Sequence, residues 1–262
     1  MRLGSLLFIF FLSHAALFSK SYQTKAKAIL VQDFYKHNFI ISKSTKKLLP
    51  IASITKLVTA LTAIEHSPLK KEIRISANSI VKNTYESKAG LRKGEIYQLK
   101  DLLYALLVPS GNDAANAIAL GISGTKKSFV RQMNLWKGKH KLLQTHFQDP
   151  VGLSNRNYSS AKDLAHLVVL VEKNTILRKI LQKKRHRILS KKKRKLWLKT
   201  RNKLRSYKGF TIYGKTGSSR AAKKCFAGII TNHKKKYIIV ILGSKNIFQE
   251  IKNTIRYLKV TK

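Results

Sequence analysis

Runs with strand propensity occur near the two ends of this chain, and helical periodicity fills its middle. That order constrains the fold more than any bulk property does. Ala26 to Asp33 and Asn38 to Ser42 flank Phe34-Tyr35-Lys36-His37 and predict an early hairpin. Phe210 to Tyr213, Cys225 to Thr231 and Tyr237 to Leu242 are three further β-prone runs, followed by a predicted helix over Asn246 to Leu258. Between the two groups, Ser53 to His66 carries Leu57, Leu61 and Ile64 at helical spacing and ends at Ser67-Pro68. Leu99 to Val108 is a second apolar helix, with Asp101 in its first turn and Pro109 as its stop. Ser110 to Asp113 reads as a loop, and Ala114 to Leu120 resumes the helix. Ser159 to Asp163 resembles a helix start, with Leu164, Leu167, Val168 and Val171 as the inner face. No internal repeat and no Gly/Ser/Pro linker interrupts the pattern. One α/β (α+β) domain over residues 21–262 accounts for it.

A chain of 262 residues, 44% of them hydrophobic, can bury a sizeable core. Its charge is far from ordinary: 54 basic against 11 acidic residues give a formal net charge of +43, which points to an anionic surface as partner. The candidates are nucleic acid, anionic lipid and an acidic cell envelope. Arg2 followed by the apolar run Leu3 to Phe18 has the length of a signal-peptide core. Residues 1–20 are therefore expected to be a signal peptide or an N-terminal anchor, with cleavage near Ser19 to Ser21 in the first case. Export to the periplasm or cell envelope counts against nucleic acid. One cysteine, Cys225, excludes an intrachain disulfide and reads as an inert core residue. Eight histidines without metal-ligand spacing predict no metal site.

Beyond Glu172 no acidic residue occurs until Glu250. Within that stretch Arg178 to Lys208 concentrates positive charge, above all from Lys183 to Lys195. With no acid nearby in sequence, this segment is expected to face solvent or an external anion such as a membrane or envelope surface. Trp136 and Trp197 are expected to be packing residues, with contact at a membrane interface as the alternative for Trp197.

The chemistry is carried by Pro50-Ile51-Ala52-Ser53-Ile54-Thr55-Lys56, where a serine and a lysine stand three residues apart at a predicted helix start. Positions i and i+3 are neighbours on a helix, so the Ser53 hydroxyl can meet the Lys56 amine. Serine is a poor nucleophile unless a base takes its proton, and lysine is that base only when burial or a neighbouring cation holds it neutral. Orphan N–H groups at the helix start could also stabilise an oxyanion. Two further sites strengthen the case. Ser110-Gly111-Asn112 supplies a hydroxyl and an amide on a loop between helices. Gly214-Lys215-Thr216-Gly217 supplies a cation, a hydroxyl and a glycine for close approach at the end of a β-prone run.

S-x-x-K, S-x-N and K-T-G in this order resemble the signature of penicillin-binding proteins. The wider context resembles the low-molecular-mass, serine-type D-alanyl-D-alanine carboxypeptidases: Ala52 to Leu57, Gly90 to Asp101, Ser110 to Ala115, Asp149 to Leu153, Asn202 to Leu204 and Lys215 to Gly217. The resemblance implies a five-stranded antiparallel sheet flanked by helices, an all-helical subdomain, and an active site between them. It implies removal of the terminal D-alanine from peptidoglycan pentapeptide stems, with no cofactor and with β-lactams as covalent inhibitors. In these roles Ser53 is the nucleophile, Lys56 the base and Ser110 a proton relay with Lys215. Asn112 holds the substrate backbone, Lys215, Thr216 and Gly217 bind near the terminal carboxylate, and the N–H groups of Ser53 and Ser218 form the oxyanion hole. The alternatives are a D,D-endopeptidase or β-lactamase on the same scaffold, or an inactive basic protein that binds the envelope.

Three positions depart from that pattern. Ser219 stands where a threonine is usual, and Lys223 replaces a glycine in the Ala-Gly pair before Cys225. Leu242-Gly243-Ser244-Lys245-Asn246 lacks the arginine usual after this strand, so carboxylate recognition is expected to pass to Lys245 or Arg220.

Overall fold

The computed structural model describes residues 22–233 and 235–260; the leader expected over residues 1–20 lies outside them. Strands β1 (Ala28–Asp33) and β2 (Phe39–Lys43) form the early hairpin. A two-residue strand β3 (Leu49–Pro50) leads into a 3-10 turn, Ala52–Thr55, and helix α1 (Lys56–His66). The short strands β4 (Glu72–Arg74) and β5 (Ile96–Gln98) pair with each other. They precede α2 (Leu99–Leu107), α3 (Asn112–Ser123) and α4 (Lys126–Lys139). β6 (Tyr158–Ser159) pairs with β3, and α5 (Ala161–Lys173) and α6 (Thr175–Leu181) follow. A hairpin of β7 (Arg185–Leu189) and β8 (Lys195–Lys199) leads to β9 (Ser206–Tyr207), β10 (Phe210–Ser219), β11 (Lys223–Thr231), β12 (Lys236–Ser244) and α7 (Ile247–Val260).

The main sheet runs β2-β1-β12-β11-β10-β9, antiparallel throughout. It therefore has six strands and not the five expected; the sixth, β9, is a two-residue edge extension against Phe210 and Thr211. Ala28 pairs with Leu242 and Asp33 with Tyr237, so the two ends of the described chain are joined through the sheet. Alternation splits the strands between two cores. Leu30, Ala227, Ile229, Ile238 and Val240 pack towards α1 and α5, in one cluster with the middle helices. Ile29, Val31, Phe226, Ile239 and Ile241 pack towards α7. On α7, Ile247, Ile251, Ile255 and Leu258 form one buried stripe at helical spacing, and each such side chain contributes about 1.5–3 kcal/mol before conformational entropy is subtracted.

Several boundaries differ from the sequence expectation. Ser53 lies in the 3-10 turn and α1 begins at Lys56, so the nucleophile stands just before the regular helix. α3 begins at Asn112, which makes Ser110 and Gly111 a two-residue corner after Pro109. β10 runs through the Lys215-Thr216-Gly217 run to Ser219, because pairing with β11 holds residues of modest strand propensity in register. Lys223, at the start of β11, has φ 56°, the left-handed region where glycine is unstrained.

The basic segment departs most. It forms the hairpin β7–β8, and its partners come from distant parts of the chain: Lys191 Nζ pairs with Glu72 at 2.8 Å, and the Arg194 guanidinium forks onto Glu95, with its Nη2 at 2.6 Å from Oε2. The absence of acids nearby in sequence did not mean an absence of acids in space. Trp136 is buried as expected, whereas Trp197 is 66% exposed on β8 and does not pack in the core. Among the described residues no helix is long and apolar enough to cross a membrane.

Candidate active site

Two strained corners of the chain meet here. Ala52, just before Ser53, has φ 47°, and Ser110 itself has φ 67°. Neither residue is glycine, and such conformations persist where the surroundings over-determine them, typically at functional sites. Gly217 on β10 allows the sheet to close onto the first corner: a Cβ there would lie 2.7 Å from the Ile51 carbonyl and 3.3 Å from the Ser53 nitrogen.

Lys56 Nζ lies 3.0 Å from Ser53 Oγ and donates to the Val151 carbonyl at 2.6 Å. The lysine is fully buried, and that burial pulls its pKa from the ordinary 10.5 to about 7, against the opposing pull of Asp149, Glu86 and Asp113. Near neutral pH a large share of the amine is uncharged. Its lone pair can then accept the Ser53 O–H across the same 3.0 Å, while one N–H remains on Val151. The Val151 carbonyl is held in turn. Asp149 accepts from the backbone N–H groups of Val151 and Gly152 at 2.8 and 2.5 Å, and from Ser154 at 2.7 Å. The Asn157 amide donates to the Asp149 carbonyl at 2.8 Å and to Thr55 Oγ1 at 3.1 Å, tying this loop to the turn that carries Ser53.

On the opposite wall Lys215 Nζ donates to Ser110 Oγ at 2.9 Å and to the Thr216 carbonyl at 2.8 Å. Lys215 is buried too, and its pKa falls well below the ordinary value, first through burial and then through the charges of Lys56 and Arg201. A neighbouring cation is the other cause that the sequence allows for a neutral Lys56, and the cation on the facing wall is Lys215. Burial is the largest cause of the lowering at both lysines. A carboxylate arriving beside Lys215 would favour its ammonium form.

Asn112 Nδ2 donates to Glu86 at 2.7 Å, and the next residue, Asp113, accepts from the backbone of Ala89, Gly90 and Leu91 at 2.8–3.1 Å. These contacts pin the 86–91 segment over the start of α3. The result is a cleft of about 490 Å³ in which Ser53, Ser110, Thr216, Gly217 and Ser218 share the wall. Depressions of similar size lie against α7 and near Glu172, away from these hydroxyls.

The cleft also holds Arg201, Lys203 and Lys224. Lys224 is the cross-strand partner of Ser218, so it points to the same side of the sheet. Lys245 and Arg220, the expected carboxylate-binding cations, do not line it: Lys245 lies at the α7 depression and Arg220 is exposed in the β10–β11 turn. The sequence analysis missed the Val151 carbonyl, Glu86, and the cations of the cleft. Arg201 and Lys203 flank the Asn202 of a run already singled out, which was the available signal. Cys225 is buried, and burial pushes its thiol up to about 11, the state of an unreactive core sulfur.

Comparison with known proteins gives four findings. A family model described as D-alanyl-D-alanine carboxypeptidase matches residues 15–246. A D-alanyl-D-alanine carboxypeptidase (DacF) of Bacillus subtilis is 27% identical over 228 residues, 86% of this chain and 58% of the relative, so the chain spans little more than half of that protein. A D-alanyl-D-alanine carboxypeptidase of Streptomyces sp. strain K15 is 32% identical over 213 residues, 74% of this chain and 72% of the relative. The crystal structure of the Streptomyces K15 DD-transpeptidase superposes with a TM-score of 0.80 at 26% identity, covering 89% of this chain and 95% of that one.

Proposed function

Because the chain belongs to the D-alanyl-D-alanine carboxypeptidase family, we propose that it is a serine D,D-carboxypeptidase that removes the terminal D-alanine from peptidoglycan stem peptides. The observation that carries this reading is the contact of a buried, readily neutral Lys56 with the hydroxyl of Ser53. In the forward step Ser53 Oγ bonds to the carbonyl carbon between the two D-alanines as its proton passes to Lys56 Nζ. The N–H groups of Ser53 and Ser218 hold the resulting oxyanion, a contribution worth on the order of 100- to 1000-fold per donor. The C–N bond then breaks as the leaving nitrogen takes the Ser110 hydroxyl proton; Ser110, hydrogen-bonded to Lys215, regains a proton from the one Lys56 had taken up, and Lys56 is neutral again. Water attacks the ester with Lys56 again taking a proton, and Ser53 leaves as the hydroxyl. Asn112 supports the peptide backbone. Lys215 and Thr216 receive the terminal carboxylate, with Arg201, Lys203 and Lys224 adding positive potential to the cleft.

Residues 21–262 act as one peptidase domain exported to the periplasm or cell envelope, with residues 1–20 as signal peptide or anchor. The basic surface holds the enzyme near anionic envelope material. β-Lactams acylate Ser53 as covalent inhibitors. The test is release of free D-alanine from a soluble pentapeptide ending in D-alanyl-D-alanine, by the wild type and by Ser53→Ala. Release that needs Ser53 supports the reading. Cleavage confined to cross-linked dimers, or rapid turnover of penicillin in its place, would replace it by the endopeptidase or the β-lactamase.

A further inference from the structure

The hairpin β7–β8 has two faces of opposite character. His186, Ile188, Leu196 and Leu198 point inward; Ile188 and Leu198 are buried, and His186 stacks on Tyr104 with ring centroids 3.6 Å apart. The outward face follows from the register: Arg185 opposite Lys199, Arg187 opposite Trp197, and Leu189 opposite Lys195. All six are exposed, and the Arg187 guanidinium lies 5.8 Å from the centre of the indole ring. Four cations thus surround one exposed aromatic plane. Among the described residues, the carboxylates that reach the hairpin do so at its turn, through Lys191 and Arg194, and no ion pair involves Arg185, Arg187, Lys195 or Lys199. The acids anchor the hairpin and leave its outer face uncompensated.

That face continues into the cleft. β8 ends at Lys199; two residues later Arg201 lines the active-site wall and donates to Ser87 Oγ at 2.8 Å, and Lys203 follows at the same wall. A step of two residues spans at most about 7 Å, so the cation that ends the hairpin stands next to the first cation of the cleft that holds Ser53.

We propose that the outer face of this hairpin is an exosite for the polymeric substrate: an anionic glycan–peptide strand laid along it, with its carboxylates at Arg185, Arg187, Lys195 and Lys199. Trp197 offers one flat apolar plane with a polar edge, suited to the C–H face of a sugar ring. The strand's stem peptide then continues past Arg201 and Lys203 to Ser53. The inference rests on the D,D-peptidase reading of the cleft. A polymer fits better than a bilayer on two counts. Only Leu189 and Trp197 on this face are apolar, too few for the buried stripe that interfacial anchoring uses. The face also leads to a reaction cleft, which a threaded strand can use and a flat lipid surface cannot.

The test compares the full chain with the quadruple variant Arg185→Gln, Arg187→Gln, Lys195→Gln, Lys199→Gln and, separately, with Trp197→Ala. D-Alanine release is measured on isolated sacculi and on a small soluble D-alanyl-D-alanine peptide. Pelleting is measured with sacculi and with phosphatidylglycerol vesicles at several salt concentrations. KM for sacculi is expected to rise at least about tenfold in the quadruple variant, with kcat and all small-peptide kinetics unchanged, because rim charges act on encounter and not on chemistry. Trp197→Ala should raise the same KM several-fold, and wild-type pelleting by sacculi should fall with salt. An unchanged KM for sacculi would overturn the proposal. So would a loss of vesicle binding alone, which would assign the face to a membrane, or a parallel fall in the small-peptide rate. A wild type inert towards the small peptide but pelleted by sacculi through these residues would sink the reading of the cleft and keep the surface.

Discussion

Lys56 donates to the main-chain carbonyl of Val151 at 2.6 Å, although 95 residues separate the two in sequence. The base is therefore oriented by a loop as well as by its own helix, and that loop depends on Gly152. Gly152 has φ +86°, and a Cβ there would lie 2.0 Å from the Ala52 carbonyl, just before Ser53. Gly152→Ala is expected to lower stability by more than the roughly 1–2 kcal/mol of left-handed strain alone, because backbone must also move. It should slow acylation by penicillin at the same time. Thermal unfolding and acylation kinetics check both; a variant normal in both would show that the loop does not position Lys56.

The buried amine makes activity depend on pH in a definite direction. Lys56 must be neutral to accept the Ser53 proton, and its pKa is about 7. The acylation rate should therefore rise with pH, reach half its plateau near pH 7 and stay low below it. Lys56→Arg keeps a cation that does not deprotonate, and should lose at least about 100-fold in acylation rate. A flat profile, or near-normal acylation by Lys56→Arg, would remove Lys56 from the role of base.

Lys223 offers the opposite outcome, a gain. Its φ of 56° costs a non-glycine residue about 1–2 kcal/mol, partly offset in a glycine variant by greater freedom of the unfolded chain. Lys223→Gly is expected to stabilise the protein by up to about 1 kcal/mol in chemical denaturation and to leave penicillin acylation unchanged. Destabilisation would mean that the lysine side chain makes a contact that outweighs the strain.

Asp113 ties the 86–91 segment to α3 through three consecutive backbone N–H groups. Asp113→Asn replaces a charged acceptor by one that presents its own donors, and should cost about 1–3 kcal/mol of stability. It should also weaken substrate binding, read as a raised KM, as the Glu86–Asn112 contact loosens. Unchanged stability and KM would show that the segment is held by other contacts.

The parts of the site that were legible in the sequence are those set by local spacing. Ser53 and Lys56 meet because three residues of helical turn bring them together, and Ser110 and Lys215 were found through short motifs whose chemistry is carried by side chains. The Val151 carbonyl could not be read that way, since any residue supplies a carbonyl and only the tertiary path of the loop aims this one. The hairpin β7–β8 was hidden by its charge: Lys191 to Arg194 suggested a solvated run, although Ile188, Leu196 and Leu198 already alternated on either side of it. Its anchors, Glu72 and Glu95, lie some hundred residues upstream, beyond any local pattern. The strands at the chain ends were readable from β-branched runs. Their lengths were not, because β10 gains its last residues from register with β11. Position after a strand points to Lys245 and Arg220 as the carboxylate-binding cations, whereas pairing across β10 and β11 puts Lys224 at the cleft.

The central claim is that Ser53 is the nucleophile, activated by Lys56. Intact-mass measurement after brief exposure to penicillin, followed by peptide mapping, tests it directly. The account predicts one added penicilloyl group on the wild type, located on Ser53, and none on Ser53→Ala. Label that persists in Ser53→Ala, or a wild type that is never acylated, would contradict it.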